Sequence, residues 1–166
     1  MRTVLIGGAL GVLVVSLAAC GGSSSSSASE QATQRQADLY AIDQIERKWH
    51  RATSRQDIDL MMSLWAPNAT FTIGPGQTLR GKDQIRRFWL ESDSFQSDNA
   101  WVSETPAYKI RITVNGDRGT LYFECHYADP KTGKLVELSG ADQQVARIDG
   151  KWLITNNVGA SPTLTP

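Results

Sequence analysis

Leu121-Tyr122-Phe123-Glu124-Cys125-His126-Tyr127 is the stretch whose reading decides the fold. Alternation places Leu121, Phe123, Cys125 and Tyr127 on one face of a strand and Tyr122, Glu124 and His126 on the other. The strand runs from Thr120 to Ala128, and the same two-residue period continues outward, from Trp101 to Val114, Leu135 to Ile148 and Lys151 to Val158. Between these runs stand Asn115-Gly116, Lys131-Thr132-Gly133 and Asp149-Gly150, all hairpin-turn chemistry. The C-terminal half therefore predicts an antiparallel meander.

Toward the N-terminus the period changes. From about Gln34 to Thr53, Leu39, Ile42, Ile45, Trp49 and Ala52 recur at three- and four-residue steps, the mark of an amphipathic helix. Asp57 is placed to cap a second helix running through Trp65, with Pro67 as its stop. Ala69 to Ile73 alternates as a strand, Gly74-Pro75-Gly76 is turn chemistry, and Lys82 to Glu91 reads as a third helix burying Ile85, Phe88 and Trp89. Three N-terminal helices against a strongly curved antiparallel sheet make an α+β domain.

That order, with particular residues, resembles the SnoaL-like branch of the nuclear transport factor 2-like superfamily. The resemblance is carried by Asp57-Ile58-Asp59, Leu64-Trp65-Ala66-Pro67-Asn68-Ala69-Thr70-Phe71, Gly81-Lys82-Asp83-Gln84-Ile85 and Asp149-Gly150-Lys151-Trp152, and it spans Ala37 to Gly159. It implies a cone-shaped fold enclosing one apolar pocket, often in a homodimer packed through the sheets, and no single activity, because fold alone does not fix function. The pocket residues expected are Trp49, Trp65, Phe71, Trp89, Tyr108, Tyr127 and Asp142, with Gln144 and Asn156 as further polar contacts.

The N-terminus carries a different signal. Met1-Arg2 precedes an apolar stretch from Val4 to Ala19, shorter than the roughly 20 residues of a spanning helix, and the stretch ends in small residues as signal peptides do. Leu17-Ala18-Ala19-Cys20 resembles the lipobox of bacterial lipoproteins, which implies that Cys20 is lipidated and holds the protein on a bilayer of the cell envelope. Gly21 after the cysteine favours the outer membrane where the host has one, with the domain facing the periplasm or the cell surface. Residues 1–19 are thus expected as a lipoprotein signal peptide, 20–33 as a lipidated, flexible Ser-rich tether, 34–160 as the SnoaL-like domain and 161–166 as a disordered tail.

Composition excludes some functions. Lys+Arg and Asp+Glu are equal at 17 each, and loss of the leader removes only Arg2, so no basic face is available for nucleic acid. Neither a nucleotide loop nor a metal-ligand cluster is present, so no cofactor and no metal is expected. Glu124 and His126 share a face without a clear third ligand. With Cys20 assigned to the lipid, Cys125 has no disulfide partner and reads as a small buried hydrophobe.

Candidate chemistry rests on three residues. The ketosteroid isomerases of the superfamily use a Tyr, an Asp base and a protonated acid. Gapless alignment on Asp57-x-Asp59 and Ala69-Thr70 puts Trp49 at the Tyr position and Ile73 at the base position, and neither can do that chemistry. Weaker candidates are Asp142, expected beside the pocket mouth, with His50 or His126. His50 follows Trp49 and points about 100° away from it, beside Asp43 and Glu46 on the side expected to be solvated. His126 is expected on the outer sheet face, at an interface or in solvent. The reading that results is an envelope lipoprotein whose domain binds a small apolar ligand or a protein partner without catalysis; the alternative is a lyase or isomerase using a pocket Asp/His pair.

Overall fold

The computed structural model describes residues 23–74, 76–104 and 109–160. Cys20, in the segment expected as signal peptide and tether, and Tyr108 lie outside the described residues. Helix α1 spans Ser23–Arg55, α2 Ile58–Ser63 and α3 Lys82–Glu91, with a 3₁₀ turn at Asp93–Phe95. The strands are β1 Trp65–Thr72, β2 Thr78–Arg80, β3 Val102–Glu104, β4 Ile110–Asn115, β5 Arg118–Ala128, β6 Leu135–Ile148 and β7 Lys151–Ala160. They form a sheet in the order β2-β1-β7-β6-β5-β3, with β4 also on β5. Among the described residues only the β1–β7 pair is parallel.

Four local expectations change. Helix α1 begins at Ser23, so the segment read as a flexible tether is helical from there on. Ser and Ala, with Gln and Glu following, cost little in a helix once the buried stripe farther on has nucleated it. The second helix ends at Ser63 and not at Trp65, because β7 captures the chain: the Ile154 amide donates to the Leu64 carbonyl at 2.8 Å. Pro67 therefore lies within β1, in the irregular stretch between Trp65 and Thr70 where ladder pairing lapses and a missing N–H costs nothing. The run from Trp101 to Val114 is two strands, β3 and β4, set end to end along the same edge of β5. Glu104 pairs with His126 and Ile110 with Phe123.

The sharp turns follow local chemistry. Gln56 takes φ 55° to end α1, the Asp57 amide donates back to the Ala52 carbonyl at 2.9 Å, and the Asp57 carboxylate accepts from the Leu60 amide to cap α2. Gly119 is fixed by close approach: a Cβ there would overlap the Thr113 carbonyl oxygen and press on Val145 and Ile42.

The core lies between α1 and the concave face of the sheet. Ile42, Ile45, Trp49 and Ala52 of α1 meet Leu121, Phe123, Val145 and Ile154. A second anchor joins the middle of α1 to the β6–β7 hairpin. The Asp38 carboxylate accepts from Arg147 at 2.6 Å and from the Trp152 indole at 3.2 Å. Burial, the largest influence on Asp38, pushes its carboxyl up, but the bonds from Trp152, Gln34 and Arg147 together hold it below the usual range.

Candidate functional site

Strand register builds the site row by row. On the concave face Phe71, Asn157, Gln143 and Leu121 form one row across four strands; Gly159, Ala141 and Phe123 form the next. Beyond them come the pairs Ser139–Cys125 and Glu137–Tyr127. The helices close the other side with Trp49, Phe88 and Trp89. Between these walls is a cavity of about 260 Å³, lined by Trp49, Phe71, Trp89, Cys125, Tyr127 and Asn157 among others. Its inner residues are buried, whereas Asp93, Glu137 and Gly159 are exposed, so the cavity opens between the 3₁₀ turn and the ends of β6 and β7. A wider groove of about 510 Å³, lined by Thr113, Thr120, Gln144 and Thr155, lies on the outer face of the sheet.

The wall is aromatic. Trp49 meets Trp89 edge to face at 5.0 Å and Phe123 at 5.4 Å, while Phe71 stacks on Trp89 at 6.0 Å. These pairs hold the rings in fixed orientations. Trp49 Nε1, Trp89 Nε1 and Asn157 Oδ1 are buried and have no hydrogen-bond partner among the described residues. Two donors and one acceptor thus remain unused on residues that line one cavity. Each such group costs about 1–3 kcal/mol while unsatisfied.

Of the expected pocket residues, Trp49, Phe71, Trp89 and Tyr127 line this cavity. Trp65 does not: it is fully buried behind Trp49, 5.8 Å from it, and belongs to the core. Asp142 is also displaced. Ala141, Gln143 and Val145 face inward, so Asp142 is exposed on the outer face, paired with Tyr122 and Val158. Gln144 and Asn156 point outward too, and Asn156 accepts from Thr70 at 2.7 Å. For Asn156 the cause is a bulge at Thr155, where the register slips between Gln144–Asn156 and Val145–Ile154. It reverses the alternation, bringing Asn157 and not Asn156 inside.

The histidines separate. His126 stays on the outer face but is held there, its ring 3.1 Å from both the Glu124 carboxylate and the Lys109 ammonium. Glu124 and Lys109 are themselves buried, and the Tyr122 hydroxyl donates to Glu124 at 3.1 Å. His126 lies four steps along β5 from Tyr122, the partner of Asp142, a span of roughly 13 Å. No hydrogen bond joins Asp142 to His126, and His50 lies on the other side of the sheet. Neither Asp142–His pair is therefore brought together. Among the described residues no group of three or more potential metal ligands converges.

His50 is the larger correction. It is buried, not solvated, as is Glu46, because the sheet wraps far enough around α1 to cover two adjacent faces of the helix. His50 Nδ1 lies 3.0 Å from Glu46 Oε1, and the ring packs on Phe123 at 5.3 Å. Burial pulls the imidazole down, but neighbouring Cys125 and Glu46 outweigh it and push His50 up to about 10. Tyr127 is raised well above its ordinary value, first by burial and then by neighbouring Cys125. At the mouth Glu137 is raised by partial burial and by the neighbouring charge of Asp93. The spacing of Glu46 and His50, one helical turn apart, was the sequence signal for this pair.

A long helix laid on a curved, largely antiparallel sheet, with an aromatic cavity between them, defines an α+β domain of the nuclear transport factor 2-like, cystatin-like class. The chain belongs to the SnoaL-like domain family, whose family model matches residues 47–153. Its structure is similar to that of an NTF2-like protein with a cystatin-like fold from Novosphingobium aromaticivorans, with TM-score 0.71 at 13% identity over 84% of this chain and 92% of that one. It is similar too to an NTF2-like protein of unknown function from Pseudomonas putida KT2440, with TM-score 0.64, 17% identity and coverage of 76% and 88%. A type 2 hexachlorocyclohexane dehydrochlorinase (LinA) matches with TM-score 0.62 at 17% identity over 81% of this chain and 92% of that chain. At these identities the likeness shows the fold alone. No curated protein matches the chain.

Proposed function

We propose that this domain binds a small, largely apolar molecule, about one ring in size, that carries a carbonyl or hydroxyl group. The observation that carries this reading is the 260 Å³ cavity with Trp49 Nε1, Trp89 Nε1 and Asn157 Oδ1 unpaired on the residues of its wall. An apolar cavity of about 150 Å³ already accepts benzene, so this one admits a ring with a short polar substituent. The aromatic wall supplies contact area, and the indole N–H groups and the Asn157 carbonyl oxygen supply orientation. The Glu137–Asp93 rim disfavours anions.

Thermal unfolding in the presence of propiophenone, against Ala141→Phe as a variant that fills the cavity, tests this. The reading expects a rise in Tm for the parent protein and none for the variant; equal responses overturn it.

We also propose that the domain is held at the cell envelope through acylated Cys20. The support is Leu17-Ala18-Ala19-Cys20 after an apolar stretch. No helix among the described residues is long and apolar enough to cross a membrane. Metabolic labelling with an alkyne fatty acid is expected to mark the parent protein and not Cys20→Ser; equal labelling of both, or of neither, overturns the anchor.

A further inference from the structure

The inner end of the cavity is more polar than its aromatic wall. From the mouth inward, the concave-face residues of β6 are Glu137, Ser139, Ala141 and Gln143, and those of β7 are Gly159 and Asn157. Ala141 and Asn157 line the cavity, and Gln143 is the register partner of Asn157, one row deeper than Ala141. Cβ atoms of a register pair stand about 5 Å apart, so both carboxamides are within reach of one molecule seated against Asn157. Gln143 is 0% exposed and Asn157 2%. Neither amide atom of Gln143 has a hydrogen-bond partner among the described residues, and Asn157 Oδ1 has none. A buried amide left in that state opposes folding, whereas Leu or Met would fill similar space without the cost. Stability of the fold therefore gives no account of an amide at position 143.

We propose that Gln143 selects the ligand of this cavity, and that the ligand is a neutral primary carboxamide carried on a small ring. A primary carboxamide presents a carbonyl acceptor and an N–H donor side by side on one edge, and the Gln143 side chain presents the complementary edge. Gln143 Nε2 donates to the ligand carbonyl, and Gln143 Oε1 accepts the ligand N–H that lies syn to that carbonyl. The second N–H of the ligand meets Asn157 Oδ1, and the remaining carbonyl lone pair accepts from Trp49 Nε1, which is also unpaired. Two donors and two acceptors of the protein thus answer two acceptor sites and two donors of the ligand. All four protein atoms belong to uncharged side chains, which suits a neutral partner. An open-chain secondary amide is trans, so its N-substituent takes the place of the syn N–H and the paired edge is lost. The inference rests on the binding proposed above and narrows its ligand class.

Calorimetric titration of the full chain carrying Cys20→Ser with two matched pairs of ligands tests this. Benzamide and acetophenone differ by NH₂ against CH₃, and N-methylbenzamide and propiophenone by NH against CH₂. Water holds an amide more strongly than a ketone, so a cavity that offers contact area alone favours the ketone of each pair. For the first pair the reverse is expected, with benzamide binding about tenfold more tightly than acetophenone. No reversal is expected for the second pair, whose amide lacks the syn N–H. Gln143→Leu is expected to abolish the benzamide preference, to leave acetophenone binding unchanged and to keep or raise Tm; Gln143→Met carries the test where the leucine variant does not fold. Acetophenone binding at least as tightly as benzamide, the result that a water held on the Gln143 amide would give, overturns selection by Gln143 and leaves the binding proposed above standing. A benzamide preference that survives in Gln143→Leu does the same. Benzamide binding that is lost in Gln143→Leu, with neither ketone bound, supports the selection and overturns the wider ligand class. Binding of none of the four overturns both.

Discussion

His50 and Glu46 face each other at 3.0 Å across one turn of α1, both buried, with Phe123 of β5 packed on the imidazole. Burying two charges is costly, and the pair persists because each partner neutralises the other.

Removing one partner is therefore expected to be severe. Glu46→Ala leaves a buried imidazolium without its carboxylate and is expected to cost about 3–5 kcal/mol. Urea unfolding of the parent and variant measures it; a loss below 1 kcal/mol contradicts the account.

The same pair makes stability depend on pH on the alkaline side. His50 is held up to about 10 in the folded chain, against 6.5 for an ordinary imidazole, so its contribution is full below about pH 6.5 and is lost as pH rises through 10. Unfolding free energies at pH 6, 8 and 10 are expected to fall steadily, with a shallower fall in His50→Gln.

At the acid end Asp38 acts with the opposite sign. Its carboxyl is lowered, so the stability it supplies is present above the ordinary carboxylate range and is lost as pH falls through the lowered value. Asp38→Ala, which strips Arg147 and Trp152 of their shared acceptor, is expected to cost about 2 kcal/mol at neutral pH and to flatten the acid limb of the unfolding curve.

Gly119 tests the packing of β4 on β5. Gly119→Ala drives a methyl into the Thr113 carbonyl, with Val145 and Ile42 behind it, and is expected to cost about 3 kcal/mol. Gly133, where an added Cβ meets nothing within 4 Å, is a control whose Ala variant is disturbed only through its φ of 67°.

Much of the fold was legible in the residues, and the reason is period. β6 and α3 match their expected bounds, because Leu135 to Ile148 lies between turn residues and Lys82 to Glu91 follows Gly81, whose φ of 76° starts the helix. The site was less legible because its residues depend on departures from period. A single bulge at Thr155 exchanges Asn156 for Asn157, and Asp142 is turned outward by the phase of the strand that holds it. Burial of His50 could not be read from α1, since its polar face is covered by strands from other parts of the chain, with Phe123 of β5 packed on the imidazole. Cys125 was legible as buried but not as part of the cavity wall, because Trp49, Phe71 and Trp89 close that wall from other elements.

The central claim is that the aromatic cavity takes a ligand, and ¹⁹F NMR of the protein labelled with 5-fluorotryptophan tests it most directly. Trp49 and Trp89 line the cavity; Trp65, Trp101 and Trp152 do not. Titration with propiophenone is expected to move the Trp49 and Trp89 resonances saturably while Trp101 and Trp152 stay in place. Resonances that all stay fixed, or that all drift together without saturation, would contradict the account.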